Sequence, residues 1–176
     1  LSVVTRCVYA RRPVVLGPSR FDPTAVHEAL TRHRATLVSL VPTMLARLAD
    51  RPAPPSLRAA LLGGASAAPA LIARARAAGW PVLPTYGMSE TCAQVCTQRL
   101  GDERETGVGP PLPGVEGRIE DGHVEVRSPT LMLGYLDDPS PIRDGWYRTG
   151  DLGRLDEDEH LHIRGRADAT LITGGE

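Results

Sequence analysis

Near residue 101 the chain changes texture, and that change limits what it can fold into. Before it, apolar runs alternate with segments of helical period; after it, glycines and prolines recur and helical periodicity disappears. The first part reads as strands alternating with helices, which implies a largely parallel sheet with flanking helices. The second reads as short strands at 117–120, 123–127, 145–148 and 160–164 separated by turns, which make a small antiparallel β lobe. The expected class is therefore α/β over 1–100, then a barrel-like β subdomain over 101–166, with 167–176 following it.

Local signals support this division. Residues 1–9 are apolar apart from Arg6 and fit either a helix or a buried strand, and Pro13-Val14-Val15-Leu16 reads as a strand. Asp22 followed by Pro23 is a helix start, with Asp22 as N-cap and Val26 and Leu30 on the apolar stripe. Residues 36–41 form the next strand. Met44, Leu45 and Leu48 then recur at helical spacing, which places Met44 in a core. An apolar segment at 57–62 ends in Gly63-Gly64-Ala65-Ser66, and an alanine-rich helix over 68–78 closes on Gly79, together a βα unit. The buried strand expected at 80–85 leads into Tyr86-Gly87-Met88-Ser89-Glu90-Thr91.

That hexapeptide has the residues to handle a metal-bound phosphate at the carboxyl end of a strand, where open α/β sheets bind ligands. Glu90 offers the hard oxygen that Mg²⁺ prefers, Ser89 a donor to a phosphate oxygen, Tyr86 a flat face for a base, and Gly87 close backbone approach. A plain strand-to-loop turn with a solvated glutamate is the competing reading.

Composition narrows the function classes. With 176 residues, 41% hydrophobic and 23% charged, the chain has globular composition, and a formal net charge of −1 presents no basic field for nucleic acid. No apolar run reaches membrane-spanning length, so a soluble cytoplasmic protein is expected. All 20 basic residues are arginine, which cannot replace a lysine where a compact or deprotonatable ammonium is needed. Cys7, Cys92 and Cys96 are expected as reduced, buried thiols, with Cys92 and Cys96 able to share a helix face. Asp156-Glu157-Asp158-Glu159 is read as a hairpin turn rather than a metal site, and His123, His160 and His162 are given no catalytic part.

Three motifs stand in one order: residues 86–91, then Gly145-Trp146-Tyr147-Arg148-Thr149-Gly150-Asp151-Leu152-Gly153, then Gly165-Arg166-Ala167-Asp168 followed by Gly174-Gly175-Glu176. Val41-Pro42-Thr43-Met44-Leu45 and Leu133-Gly134-Tyr135-Leu136 agree with them. In order and spacing the chain resembles the adenylate-forming superfamily of acyl-CoA ligases, luciferases and peptide-synthetase adenylation domains. The resemblance implies a carboxylate attacking the α-phosphate of Mg·ATP to form an acyl-adenylate, followed by transfer to the thiol of CoA. It implies ATP, Mg²⁺ and CoA as partners, a small carboxylic acid as substrate, and leaves a homo-oligomer open.

By the same resemblance Gly64, Ala65 and Ser66 lie against the adenine, Asp151 accepts from the ribose diol, Arg166 approaches the nucleotide, and 167–176, with Asp168 as pivot, is the hinge leading to a C-terminal domain. Ser89 and Glu90 are the candidate catalytic pair, with Glu90 also the metal ligand. Met88 is placed on the substrate side. The 1–7 opening and the run from Glu90 to Thr97 look most like the o-succinylbenzoate-CoA ligase branch of menaquinone biosynthesis. Arg6 either pairs a second substrate carboxylate or snorkels to the surface. Another aryl- or acyl-CoA ligase, or a nucleotide-binding remnant without catalysis, are the alternatives. The chain opens on Leu1 and stops at Glu176 inside a motif, so it reads as an internal fragment. A phosphate-binding loop is expected before it and the adenylation lysine after it, with no turnover by the fragment alone.

Overall fold

In the computed structural model, residues 2–136 and 141–168 are described, and they divide into two compact units. One comprises Leu1–Tyr86 with Gln98–Thr106, the other Gly87–Thr97 with Gly107–Glu176. The element order is α1 (Ser2–Tyr9), α2 (Pro23–Arg32), β1 (Leu37–Leu40), α3 (Pro42–Leu48), β2 (Ala59–Leu62), α4 (Pro69–Ala77) and β3 (Val82–Met88). A 3₁₀ turn (Ser89–Thr91) follows, then β4 (Ala93–Thr97), β5 (Glu116–Glu120), β6 (His123–Arg127), β7 (Ile142–Arg143), β8 (Trp146–Leu155) and β9 (Leu161–Arg166).

The first unit is the α/β part. Parallel β1, β2 and β3 align Leu40 with Leu62 and Leu62 with Pro84. Helices α2, α3 and α4 bury Leu30, Leu45, Leu48, Ile72 and Ala75 around Trp80 and Val82. Leu45 and Leu48 are fully buried, each contributing roughly 1.5–3 kcal/mol of transfer free energy. Trp80 is buried without an orphaned donor because its indole Nε1 donates to the Arg51 carbonyl at 2.9 Å. Asp22 caps α2 as expected, accepting from the Ala25 amide at 2.7 Å. Met44 packs against the core, as its spacing predicts.

One expectation fails in this unit. Residues 13–16 are not a strand: Val15 and Leu16 are 43% and 81% exposed, and with Pro13 and Pro18 flanking them the segment lacks donors where pairing would begin. Residues 2–9 take the helical one of their two readings, and Val8 and Tyr9 are largely exposed. Among the described residues no helix is long and apolar enough to cross a membrane.

The second unit is an antiparallel sheet ordered β5-β6-β8-β7, with β9 also paired to β8. Alternation divides its faces: Val124, Val126, Tyr147 and Thr149 are buried, whereas Arg118, Arg127 and Arg148 are exposed. On the outer face Trp146 lies between Arg118 and Arg127, whose guanidinium carbons stand 4.2 and 4.9 Å from its ring centroid. Residues 156–159 do form the turn between β8 and β9, where Asp156 accepts from the amides of Asp158 and His160 and pairs His162 Nε2 at 2.8 Å.

Cys92 and Cys96 share no helix. Cys92 closes the 3₁₀ turn in the left-handed conformation and is exposed, while Cys96 lies buried in β4. Cys7 is only half-buried, so the expectation of buried thiols holds for Cys96 alone, whose thiol burial pushes up to about 12.

Candidate nucleotide and metal site

Strand β3 runs farther than its apolar core suggests, carrying Tyr86, Gly87 and Met88 before the chain turns at Ser89. Within the second unit β4 comes back so tightly beside Gly87 that a Cβ there would overlap the Ala93 carbonyl. The close approach expected of Gly87 is thus made by the protein's own backbone. Thr91, 1% exposed, staples the turn: its Oγ1 accepts from the Met88 amide at 3.1 Å and lies 3.0 Å from the Met88 carbonyl and 2.8 Å from that of Ala93. Cys92 and Ala93 follow at φ 56° and 139°, conformations that cost non-glycine residues on the order of 1–3 kcal/mol each. A strained, side-chain-stapled turn therefore presents Ser89 to solvent and holds Glu90 half-buried.

Glu90 is held at both ends. Its carbonyl accepts from the Met132 amide at 2.8 Å, and its Oε1 accepts from the Tyr135 hydroxyl at 3.1 Å. The Tyr135 oxygen lies 3.3 Å from that of Tyr147. Burial, followed by the Tyr135 hydrogen bond and the nearby Glu90 charge, raises the Tyr147 pKa above its ordinary value, so this phenol stays neutral. Among the described residues no three His, Cys, Asp or Glu side chains form a metal cage. A lone, anchored carboxylate fits Mg²⁺, which retains several waters and takes its other ligands from substrate phosphates.

Asp151 and Arg166 face each other in the β8–β9 register, with Arg166 Nη1 3.9 Å from Asp151 Oδ1. The Asp151 side chain is 15% exposed, and its amide donates to Thr149 Oγ1 at 3.1 Å, while that hydroxyl donates to the Val124 carbonyl. Arg166 also forks onto Asp168, Nε to Oδ1 at 3.1 Å and Nη2 to Oδ2 at 3.2 Å, which holds the Asp168 carboxyl below its usual range. A Cβ on Gly150 would overlap the Arg166 guanidinium, so glycine there makes room for the arginine.

In the first unit Gly64, Ala65 and Ser66 form an exposed turn past the end of β2, and half-buried Tyr86 lies past the Leu62–Pro84 pairing on adjacent β3. Gly64 has φ +81°, which favours glycine. Gly63 is needed for packing, since a Cβ there would overlap Thr85 Oγ1. Arg6 lies exposed on α1. Gly174, Gly175 and Glu176 lie outside the described residues.

The motif readings assigned no role to Tyr135, Tyr147, Thr91 or Gly150. A usable signal existed, because the chain has four tyrosines and three of them fall inside its motif blocks.

Residues 2–136 match the family described as AMP-binding enzyme. The chain belongs to this family. Among its relatives the 2-succinylbenzoate–CoA ligase of Bacillus pumilus is 36% identical over 194 residues, covering 100% of this chain and 40% of that protein. Among solved structures, the O-succinylbenzoate coenzyme A synthetase of Bacillus subtilis in complex with AMP superimposes with a TM-score of 0.89 at 35% identity, covering 99% of this chain and 40% of that one. The amide bond synthetase McbA of Marinactinospora thermotolerans gives 0.85 at 38% identity, covering 94% and 38%. The chain thus spans about two-fifths of the length of the curated relatives it matches.

Proposed function

We propose that this chain is the nucleotide- and metal-binding segment of an ATP-dependent acid–thiol ligase, acting on o-succinylbenzoate in the cytoplasm during menaquinone biosynthesis. The substrate carboxylate oxygen attacks the α-phosphorus of ATP as the bond to pyrophosphate breaks, and the thiolate of CoA then attacks the acyl carbon and releases AMP. Gly64, Ala65, Ser66 and Tyr86 take the adenine, Gly87 lets the chain pass close beside it, Asp151 accepts from the ribose diol, and Arg166 meets the nucleotide from the lobe's edge. Ser89 donates to a phosphate oxygen. Glu90 holds Mg²⁺, which when bound neutralises charge on the phosphates. Met88 and Arg6 are assigned to the acid, and Asp168 to the hinge between half-reactions. No lysine is present, so countercharge of that kind at the α-phosphate is assigned to residues outside this chain.

The observation that carries this reading is the Glu90 carboxylate, set on a strained turn and hydrogen-bonded by Tyr135. Support comes from the relatives: the similar Bacillus subtilis enzyme was solved with ATP and a magnesium ion. A second reading keeps adenylation but changes the acceptor to an amine, and the 38% identity to an amide bond synthetase favours it.

The test is o-succinylbenzoate-dependent exchange of pyrophosphate into ATP by the full-length protein, then AMP release with CoA or an amine as acceptor. Glu90→Gln should lower exchange by at least about 10²-fold, the usual loss for one key electrostatic group. Near-normal exchange in that variant would remove Glu90 from the metal role; release with amines alone would select the second reading.

A further inference from the structure

Among the described residues Glu90 is the one carboxylate assigned to the proposed metal site, yet a glutamate has three side-chain torsions and would sweep a wide volume unless something fixed it. Resting on the Glu90 assignment above, we infer that Tyr135 is a positioning residue for the metal-binding carboxylate, and that Tyr147 in turn positions Tyr135. The hydrogen-bond directions follow from chemistry. An ionised carboxylate only accepts, so the single Tyr135 proton goes to Glu90 Oε1 at 3.1 Å. Tyr135 must then accept from Tyr147, whose oxygen is 3.3 Å away.

Tyr147 suits this end of the relay. It is buried, set in β8 between Ile142 of β7 and Val126 of β6, and a phenol, with an ordinary pKa of about 10, is a donor at any physiological pH. Tyr135 is 45% exposed and fills no core, so packing alone gives its hydroxyl no reason to point at Glu90. The Met132-to-Glu90 backbone hydrogen bond at 2.8 Å brings this segment to the turn, and the hydroxyl then acts on the carboxylate. The relay carries the rigidity of the sheet to the carboxylate and polarises each bond along it. The order of Tyr135 and Glu90 therefore sets how well the carboxylate is presented to a cation, and leaves nucleotide recognition to other residues.

The test is a double-mutant cycle in the full-length protein, read by pyrophosphate exchange across a Mg²⁺ titration. Tyr135→Phe removes one oxygen, so exchange at limiting Mg²⁺ should fall about ten-fold, the size of one hydrogen bond to a charged group. Saturating Mg²⁺ should recover most of the loss, and the KM for the acid should not move. Placed on Glu90→Gln, Tyr135→Phe should cost nothing further. Tyr147→Phe should shift the Mg²⁺ dependence in the same direction by a smaller factor. Equal factors for Tyr135→Phe in both backgrounds, or a loss that Mg²⁺ does not recover, would overturn the inference while leaving Glu90 in place. If Glu90→Gln alone exchanges normally, the Glu90 assignment itself has failed.

Discussion

In the α/β unit, Gly64 turns at φ +81° past β2, whose register partners, Leu37, Val38, Ser39 and Leu40 on β1 and Val82, Leu83 and Pro84 on β3, carry no charge. In the β lobe, Glu90, Asp151 and Arg166 are held by Tyr135, Thr149, Gly150 and Asp168, largely through hydrogen bonds and ion pairs. The first unit positions backbone with an apolar core; the second positions charge with a polar scaffold. Core substitutions in the first should therefore unfold it, whereas polar substitutions in the second should alter binding before they alter stability.

The largest effect expected is Trp80→Ala. The indole is 1% exposed and fills the centre of the first unit, so its loss should cost about 3–5 kcal/mol in denaturant unfolding. A cost below about 1 kcal/mol would mean that this unit is not held by its apolar core, and the contrast would collapse.

Asp151→Ala sharpens the other side. It removes a carboxylate whose proposed work is the ribose, so a tight acyl-adenylate analogue should bind about ten-fold more weakly while the unfolding midpoint barely moves. Unchanged analogue affinity by calorimetry would mean that Asp151 serves only to hold Arg166.

The smallest effect concerns the β8–β9 turn. The His162 hydrogen bond, helped by the His160 and Asp158 amides, lowers the Asp156 pKa to about 2. A depressed carboxylate stabilises the fold above its unfolded pKa of about 3.9 and loses that contribution as pH falls through the folded value. Stability should thus decline between about pH 4 and pH 2, and Asp156→Asn should flatten that part of the profile. An unchanged acid limb would show that the turn is solvated polar chain with no structural work for Asp156.

How much of this was legible depended on how far apart the partners lie. The Asp22 cap, the Met44 stripe and the change to β structure after residue 101 are local patterns, read within a turn of helix or a few residues of strand. The misread segment at 13–16 had strand-like residues but no pairing partner, and a strand is stabilised by its neighbour. The two cysteines four apart suited a helix only while the left-handed Cys92 and the tight return at Gly87 were unseen.

By itself the sequence determined the class of fold, the order of its motifs and which residues are proposed for nucleotide and metal, because periodicity, turn chemistry and donor type are properties of short stretches. Tertiary structure alone decided what holds those residues. Tyr135 reaches Glu90 across 45 positions, Arg166 takes the space that Gly150 leaves open, and Asp168 shares that arginine with Asp151. Each of these pairings depends on strand register and chain return, which fix distance between residues that no local pattern connects.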